Sequence, residues 1–513
     1  MLRRSMLCCL LVLQACVALG FGDPPKKHTT KHSTPRGPLV SAPHESPELG
    51  GGVGTSTCDP LTPGSAASAP PETTPSNILL IVMDDVGPEM IGAYHIPNEA
   101  PPTPTIDGLA AQGVRFNRAW ADPWCSPTRA TIMTGRHARR YGIGRAIEPF
   151  HERTVLPQSE VSLPQWIGDH APWSLTRALF GKWHLTAAIA GPGAPLDYGF
   201  QRFSGTMANL DATDAFDRKS MSYTSWEAID DDVITRRKGY ATSAVVDDAL
   251  AWTKAQSGPW FAWVAFHAAH TPWHTPPQAL HTYGTIPKKT IPTRERAMIQ
   301  AMDTEIGRLL DGLGADVRAH TNVIVLGDNG TTGGVGLEQF RHVSGKSTLN
   351  EHGVRVPLIV SGPAVRTPGR AVDALVQTSD LFLTISELAG VDGLAIDWPI
   401  DSVSLLPYLR DPAQGPRRAW VYAEVFTPNN DDARKPKDER AARDDRYKLV
   451  RSKGVDTLYD MGASWVDPKP IVAHDQLGRD RQAALTKVLD ACGGASLAPP
   501  ATAPPAAPKV SGG

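Results

Sequence analysis

Three small groups of polar residues carry the chemistry legible in this chain. Asp84-Asp85 and Asp328-Asn329 each stand directly after a short apolar run, residues 77–83 (NILLIVM) and 322–327 (NVIVLG). Three carboxylates and an amide oxygen form a hard-oxygen donor set, suited to Ca²⁺ or Mg²⁺ rather than Zn²⁺. Either pair alone reads as turn chemistry, but two such pairs after buried strands point to a metal. The third group is Cys125 and Arg129 in CSPTR, which continues as ATIMTGR to Arg136. Pro127 suits a first helical turn and Gly135 suits a helix stop. Cys125 is therefore expected just before a helix N-terminus, where backbone N–H groups and the helix dipole favour anions. Arg129, one turn later, adds a fork-shaped anion clamp. On these grounds Cys125 is open to two readings, a buried or mildly acidic thiol and a thiolate nucleophile.

The elements that must position these residues read as α/β. Continuous apolar runs at 77–83, 260–266, 322–327 and 356–360 predict strands buried on both faces. Helical patterns at 105–112, 127–134, 240–255, 294–311 and 378–389 lie between them. This alternation predicts a large, mostly parallel sheet flanked by helices, and ligands bind such sheets at the carboxyl ends of the strands. After about residue 412 the pattern changes to short strands at 420–426, 446–451 and 456–459, then a helix over 479–491. That predicts a small antiparallel α+β subdomain at 413–492, behind a main domain at 77–412.

The chain has 513 residues, with 51 Lys plus Arg against 53 Asp plus Glu, a formal net charge of −2. A near-neutral chain is not a nucleic-acid or anionic-membrane binder held by bulk charge. Six cysteines in this length exclude a disulfide scaffold. Residues 1–20 read as an export signal, with Arg3 and Arg4 before the short apolar run MLCCLLVL. Ala18-Leu19-Gly20 offers one cleavage site. Leu13-Gln14-Ala15-Cys16 resembles a bacterial lipobox, apart from Gln14, and would leave Cys16 as a lipid anchor. No other segment is long and apolar enough for a transmembrane helix. Residues 21–76 read as a disordered Pro/Thr/Ser-rich linker, because 23–76 hold eleven Pro, six Gly and no aromatic residue. The tail 493–513 is similar Ala/Pro-rich material. Cys58, Cys125 and Cys492 remain once the signal is removed. An odd number in an exported protein implies an unpaired or altered cysteine.

The motifs together resemble the formylglycine-dependent sulfatase family, in the alkaline-phosphatase-like superfamily. Cys-x-Pro-x-Arg with its Thr-Gly-Arg exit resembles the family signature, and NILLIVMDDVG resembles its opening strand and metal motif. Gly181-Lys182-Trp183-His184, Tyr198 to Gly205, His267 to Pro272 and Gly327 to Gly330 resemble further family segments. So do Gly345-Lys346 with Glu351 to Pro357, and the C-terminal landmarks Ser404 to Pro407, Arg446 to Leu449 and Leu458 to Asp460. The likeness spans about 77–490 in the family's order. The chain departs from the pattern at Pro88-Glu89, where a small polar run is usual, and at His352, where Gly is usual. It departs also at Thr186 and Thr128.

The resemblance implies one Ca²⁺ per chain, held by Asp84, Asp85, Asp328 and Asn329, and Cys125 oxidised to Cα-formylglycine by a formylglycine-generating enzyme. A hydroxyl of the hydrated aldehyde would attack sulfur, forming a covalent sulfate hemiacetal whose collapse expels sulfate. Arg129 would stabilise the diol, Lys182 and Lys346 would bind sulfate oxygens, His270 would contact sulfate or protonate the leaving oxygen, and His184 would accept the proton that triggers collapse. The implied substrate is an aryl or carbohydrate sulfate, and the implied location is periplasmic, secreted or lipid-anchored at the cell surface. The alternatives are a phosphonate or phosphate monoester hydrolase of the same superfamily and an inactive cell-surface binding protein. Several other patterns carry less. His267, His270 and His274 lack the partners of a zinc site. Gly345-Lys-Ser-Thr348 lacks the upstream Gly of a P-loop. Asn329-Gly-Thr331 is a glycosylation sequon on an expected metal ligand. Trp124, Trp226 and Trp273 are candidates for a sugar-binding mouth.

Overall fold

The computed structural model describes residues 58–494 except 62–64, 97–99, 150–151, 211–219, 288–289, 336–343, 394–395, 397, 431–434, 463 and 474. The expected signal, the lipobox cysteine, the linker up to residue 57 and the tail beyond 494 lie outside the described residues.

Fourteen strands form two sheets among the described residues. They are β1 (Asn77–Met83), β2 (Gly113–Trp120), β3 (Thr176–Lys182), β4 (Arg202–Thr206), β5 (Ser225–Asp230), β6 (Val233–Lys238), β7 (Trp260–Ala265), β8 (Thr321–Gly327), β9 (Arg355–Ser361), β10 (Arg370–Gln377), β11 (Val421–Thr427), β12 (Lys437–Arg443), β13 (Tyr447–Ser452) and β14 (Val455–Asp460). The large sheet runs β10-β2-β9-β8-β1-β7-β3-β4-β5-β6. Its centre, β8-β1-β7-β3-β4, is parallel, whereas β9 is antiparallel to both its neighbours. β1 shows why an uninterrupted apolar run is needed there. Ile78, Leu80 and Val82 enter the core on one face of the sheet, while Leu79, Ile81 and Met83 enter the core on the other.

The small sheet, β11-β12-β13-β14, is antiparallel throughout. Leu485 and Leu489 of the helix Gln476–Gly493 pack on it with Trp420, Tyr422, Leu449 and Leu458. Val421 and Ala423 of β11 share a further core with Trp120 and Leu375 of the large sheet.

The described part of the expected linker is ordered instead. Cys58 forms a disulfide with Cys492. Leu61 makes a β-bridge with Arg418, and the Ser404 amide donates to the Ala67 carbonyl at 2.8 Å. The Ala69 amide donates to Glu387 Oε1 at 2.6 Å, and Glu72 pairs with Arg410 at 2.9 Å. The segment has little apolar surface to bury, so composition predicts disorder. Backbone hydrogen bonds and one covalent link order it instead.

Candidate active site

Strand register brings the two acidic pairs level. β1 and β8 are parallel neighbours with Met83 opposite Gly327, so Asp84-Asp85 and Asp328-Asn329 leave the sheet side by side. β3 ends on Lys182, and the segment after β7 carries His267 and His270. Gly181, at φ +99°, lets β3 approach β7 at this point, since a Cβ there would collide with the Ala265 carbonyl. The helix Cys125–Thr134 begins on Cys125 itself, two residues earlier than its periodicity suggests, after an extended Trp124. All the predicted site residues therefore converge at the carboxyl ends of β1, β3, β7 and β8, with Lys346 brought in by the loop before β9.

The contacts are dense and buried. Arg129 is fully buried. Its Nε and Nη2 donate to Asp328 Oδ2 at 3.1 and 2.7 Å, and its Nη1 donates to the Lys182 carbonyl at 2.9 Å. Lys182 pairs with Asp84, and Lys346 pairs with Asp85 at 2.6 Å. His270 Nε2 lies 3.9 Å from Asp85 Oδ2. His184 Nε2 is 2.8 Å from the Ile147 carbonyl and so carries the hydrogen. Its Nδ1 lone pair therefore faces Cys125 Sγ at 3.3 Å. Burial, then the charge of Lys182, holds His184 well below the usual histidine range. Asp85 and His184 both adopt φ near +60°, a conformation uncommon outside glycine.

The donor set fits a hard divalent cation. Asp84 Oδ1 and Asn329 Oδ1 are buried with no hydrogen-bond partner, a cost that a cation would relieve. Donor atoms of Asp84, Cys125 and Asp328 lie within 4.8 Å of one another, as do those of Asp84, Asp85 and His270. Without a cation the carboxylates share charge unequally. Burial raises Asp84, but Lys182, then His270, Arg129 and Lys346, outweigh it and hold the group well below the usual carboxylate range. Burial, then the charge of Asp84, pushes Asp328 up to about 7. A divalent ion reverses that second shift by offsetting the crowded negative charge.

Sequence reasoning passed over several supports. Thr332 Oγ1 donates to Asp85 Oδ2 at 3.0 Å, and Asn329 Nδ2 donates to Asp85 Oδ1 at 2.8 Å. Thr206 Oγ1 lies 2.7 Å from His267 Nε2. These residues belong to no motif quoted above except Asn329, and their partners are remote in sequence. Of the candidate mouth tryptophans, Trp226 is a core residue, because it sits on the covered face of β5, while Trp124 and Trp273 are half-buried. His274 packs on the Tyr223 ring at 4.2 Å.

A family model described as Sulfatase matches residues 76–391. The human N-acetylgalactosamine-6-sulfatase is 31% identical to this chain over 371 residues, covering 67% of each. Arylsulfatase A of Bos taurus is 28% identical over 393 residues, 71% of this chain and 73% of the relative. Among solved structures, Ps i-CgsB in complex with k-i-k-neocarrahexaose matches at TM-score 0.65 and 21% identity, over 81% of this chain and 92% of that one. The putative sulfatase yidJ from Bacteroides fragilis matches at TM-score 0.66 and 16% identity, over 83% and 98%. At these identities the two structures speak for the fold alone.

Proposed function

This chain belongs to the sulfatase family and is a sulfuric ester hydrolase, and on that premise we propose that it cleaves a carbohydrate or aryl sulfate at residue 125. The observation that carries the reading is the convergence on Cys125 of an unpartnered pair of acceptor oxygens, Asp84 Oδ1 and Asn329 Oδ1, with the cations Arg129, Lys182 and Lys346. Ca²⁺ held by Asp84, Asp85, Asp328 and Asn329, and formylglycine made from Cys125, would supply a Lewis acid and a nucleophilic hydroxyl.

The chain's own residues then have distinct tasks. Three cations answer the three carboxylates Asp84, Asp85 and Asp328, so any bound divalent ion leaves the site positive and drawn to a sulfate monoester. Lys182 and Lys346 contact sulfate oxygens, where charge builds as the ester bond breaks. Arg129 braces Asp328 and holds residue 125 against the donor set. His270 stands beside Asp85 and supplies the proton for the leaving alcohol. His184 keeps an unprotonated Nδ1 toward residue 125 and accepts a proton there, a task that its lowered pKa permits at neutral pH. The named activity of the curated relatives favours a sugar sulfate. The Cys58–Cys492 disulfide favours an oxidising compartment and hence export. No described helix is long and apolar enough to cross a membrane.

Parallel assays with an aryl sulfate and a phosphonate monoester test the reading. Sulfate turnover is expected to be the faster, and faster phosphonate turnover would make the chain a phosphonate hydrolase. Cys125→Ala is expected to abolish hydrolysis with the unfolding midpoint unchanged, and retained activity in that variant overturns the assignment. Mass analysis of the peptide containing residue 125, from the native host, is expected to show the aldehyde or its hydrate. An unmodified thiol there refutes the mechanism.

A further inference from the structure

Two departures from the family pattern, Glu89 and His352, meet in the structure. His352 Nε2 lies 3.6 Å from Glu89 Oε1 with both side chains 4% exposed. They are more than 260 positions apart in the chain, and the Glu89 oxygen that His352 faces is the one that meets Thr331.

Thr331 joins three loops of the site. Its hydroxyl accepts the Gly87 amide at 3.0 Å, from the turn that carries Asp84 and Asp85. The same hydroxyl donates to Glu89 Oε1. Its carbonyl accepts the Lys346 amide at 2.9 Å, and Thr331 itself follows Asn329 by two residues. The loops pass so closely that a Cβ at Gly345 would strike the Thr331 carbonyl and crowd the His352 ring. The hydroxyl has one proton. Glu89 takes it, which turns the oxygen's lone pairs toward the Gly87 amide. His352 faces the same oxygen of the carboxylate, Glu89 Oε1.

We infer that Glu89, backed by His352, is a positioning residue for this site: it fixes Thr331, and through Thr331 the relative placement of Asp85, Asn329 and Lys346. The inference rests on the sulfatase reading for its effect on turnover, but its geometric claim is independent of that reading. A cation held by Asp85 and Asn329 and an anion held by Lys346 both need loops set to a fraction of an ångström. Substitution of a group that orients metal ligands costs about 10–100-fold in metal affinity or activity.

The test compares Glu89→Ala, Glu89→Gln, Thr331→Val, Thr331→Ser and the double Glu89→Ala/Thr331→Val in the full, matured enzyme. Three quantities are read: kcat/KM on an aryl sulfate, Ca²⁺ affinity by titration, and hydrogen exchange of the peptide containing the Lys346 amide. Glu89→Ala and Thr331→Val are each expected to lower kcat/KM and Ca²⁺ affinity by about tenfold or more. Both are expected to speed exchange at Lys346. Glu89→Gln keeps an acceptor and Thr331→Ser keeps the hydroxyl, so both stay within about threefold of the parent. The double falls no further than the weaker single, as two members of one contact must. The inference is overturned if Glu89→Ala leaves all three readings within twofold, if Thr331→Ser fails to rescue, or if the two single losses multiply in the double. If the parent cleaves no sulfate ester, the functional reading fails on its own and exchange at Lys346 still decides the role of Glu89.

Discussion

Asn329 is the only neutral member of the donor set, and its second functional group explains the choice. Its Nδ2 donates to Asp85 Oδ1 at 2.8 Å and to the Gly330 carbonyl at 2.9 Å, which leaves Oδ1 as the atom without a partner. An aspartate would offer the same oxygen but would lose both N–H bonds and add a fourth negative charge. Asn329→Leu, of similar volume, removes the oxygen and both donors. It is expected to weaken Ca²⁺ binding by about tenfold to a hundredfold, with activity falling in step. Calorimetric titration of the metal-free protein checks this, and parental affinity in Asn329→Leu would remove Asn329 from the ligand set. Asn329 is fully buried, so the sequon on it is closed to a glycan in the folded protein. At this scale the sequence was informative where the side chains themselves meet substrate or metal, because few residue types can do that work. It was silent on Thr206, Thr332 and the Ile147 carbonyl, whose role is to hold those side chains. A threonine that bonds a residue 247 positions away leaves no local signal.

The helix Cys125–Thr134 depends on a carboxyl that sits behind it. Thr131 Oγ1 donates to Asp122 Oδ2 at 3.0 Å, and Thr128 Oγ1 donates to the Asp122 carbonyl at 3.0 Å. Asp122 also faces Glu424 of β11, whose amide lies 3.4 Å from its Oδ1. Burial, then the charge of Glu424, pushes Asp122 up to about 7. An acid whose folded pKa is raised keeps its proton in the native state after the unfolded chain has released it. Stability is therefore lost as the pH rises from about 4 to about 7, and the loss is level above that. Asp122→Asn carries a neutral amide at every pH and escapes the penalty. Its unfolding midpoint relative to the parent is expected to climb between pH 4 and 7 and then stay constant. Thermal unfolding of both proteins across that range measures it, and a difference independent of pH would place an ionised Asp122 in the native state. The elements themselves were legible where they are buried on both faces. β1, β7, β8 and β9 lie within a residue of the apolar runs that predict them. β12, with the sequence KDERAAR, was not legible. Its first four residues are all charged and pair with one another, Arg440 with Asp438 and Lys437 with Glu439. Arg443 pairs with the buried Glu351, and only Ala441 and Ala442 carry apolar side chains into a core. The antiparallel β9 was hidden for another reason, since an apolar run does not encode strand direction.

Across the whole molecule, the two ends of the described chain are tied together. Cys58 and Cys492 are separated by 434 residues in sequence and joined by a disulfide that lies in the core between the small sheet and its helix. Closing so long a loop restricts the unfolded chain strongly, and the contribution to stability is about 5 kcal/mol. The strap that follows Cys58 has contacts of its own. Arg417 Nη2 donates to the Ser68 carbonyl at 3.1 Å, and Glu387 binds the Ala69 amide. Those bonds hold the strap in the native state, but they do nothing to the unfolded ensemble. Cys58→Ser/Cys492→Ser is therefore expected to lower the unfolding midpoint by about 5 °C or more. Activity below the transition is expected to stay within twofold, because every contact to Asp84, Asp85, Cys125, Asp328 and Lys346 described above comes from residues outside the strap. Calorimetry with turnover assays on the same preparation separates the two effects. An unchanged midpoint would mean that the strap's hydrogen bonds alone hold the ends. A large loss of turnover at an unchanged midpoint would mean that the disulfide acts on the site itself and not on the stability of the fold.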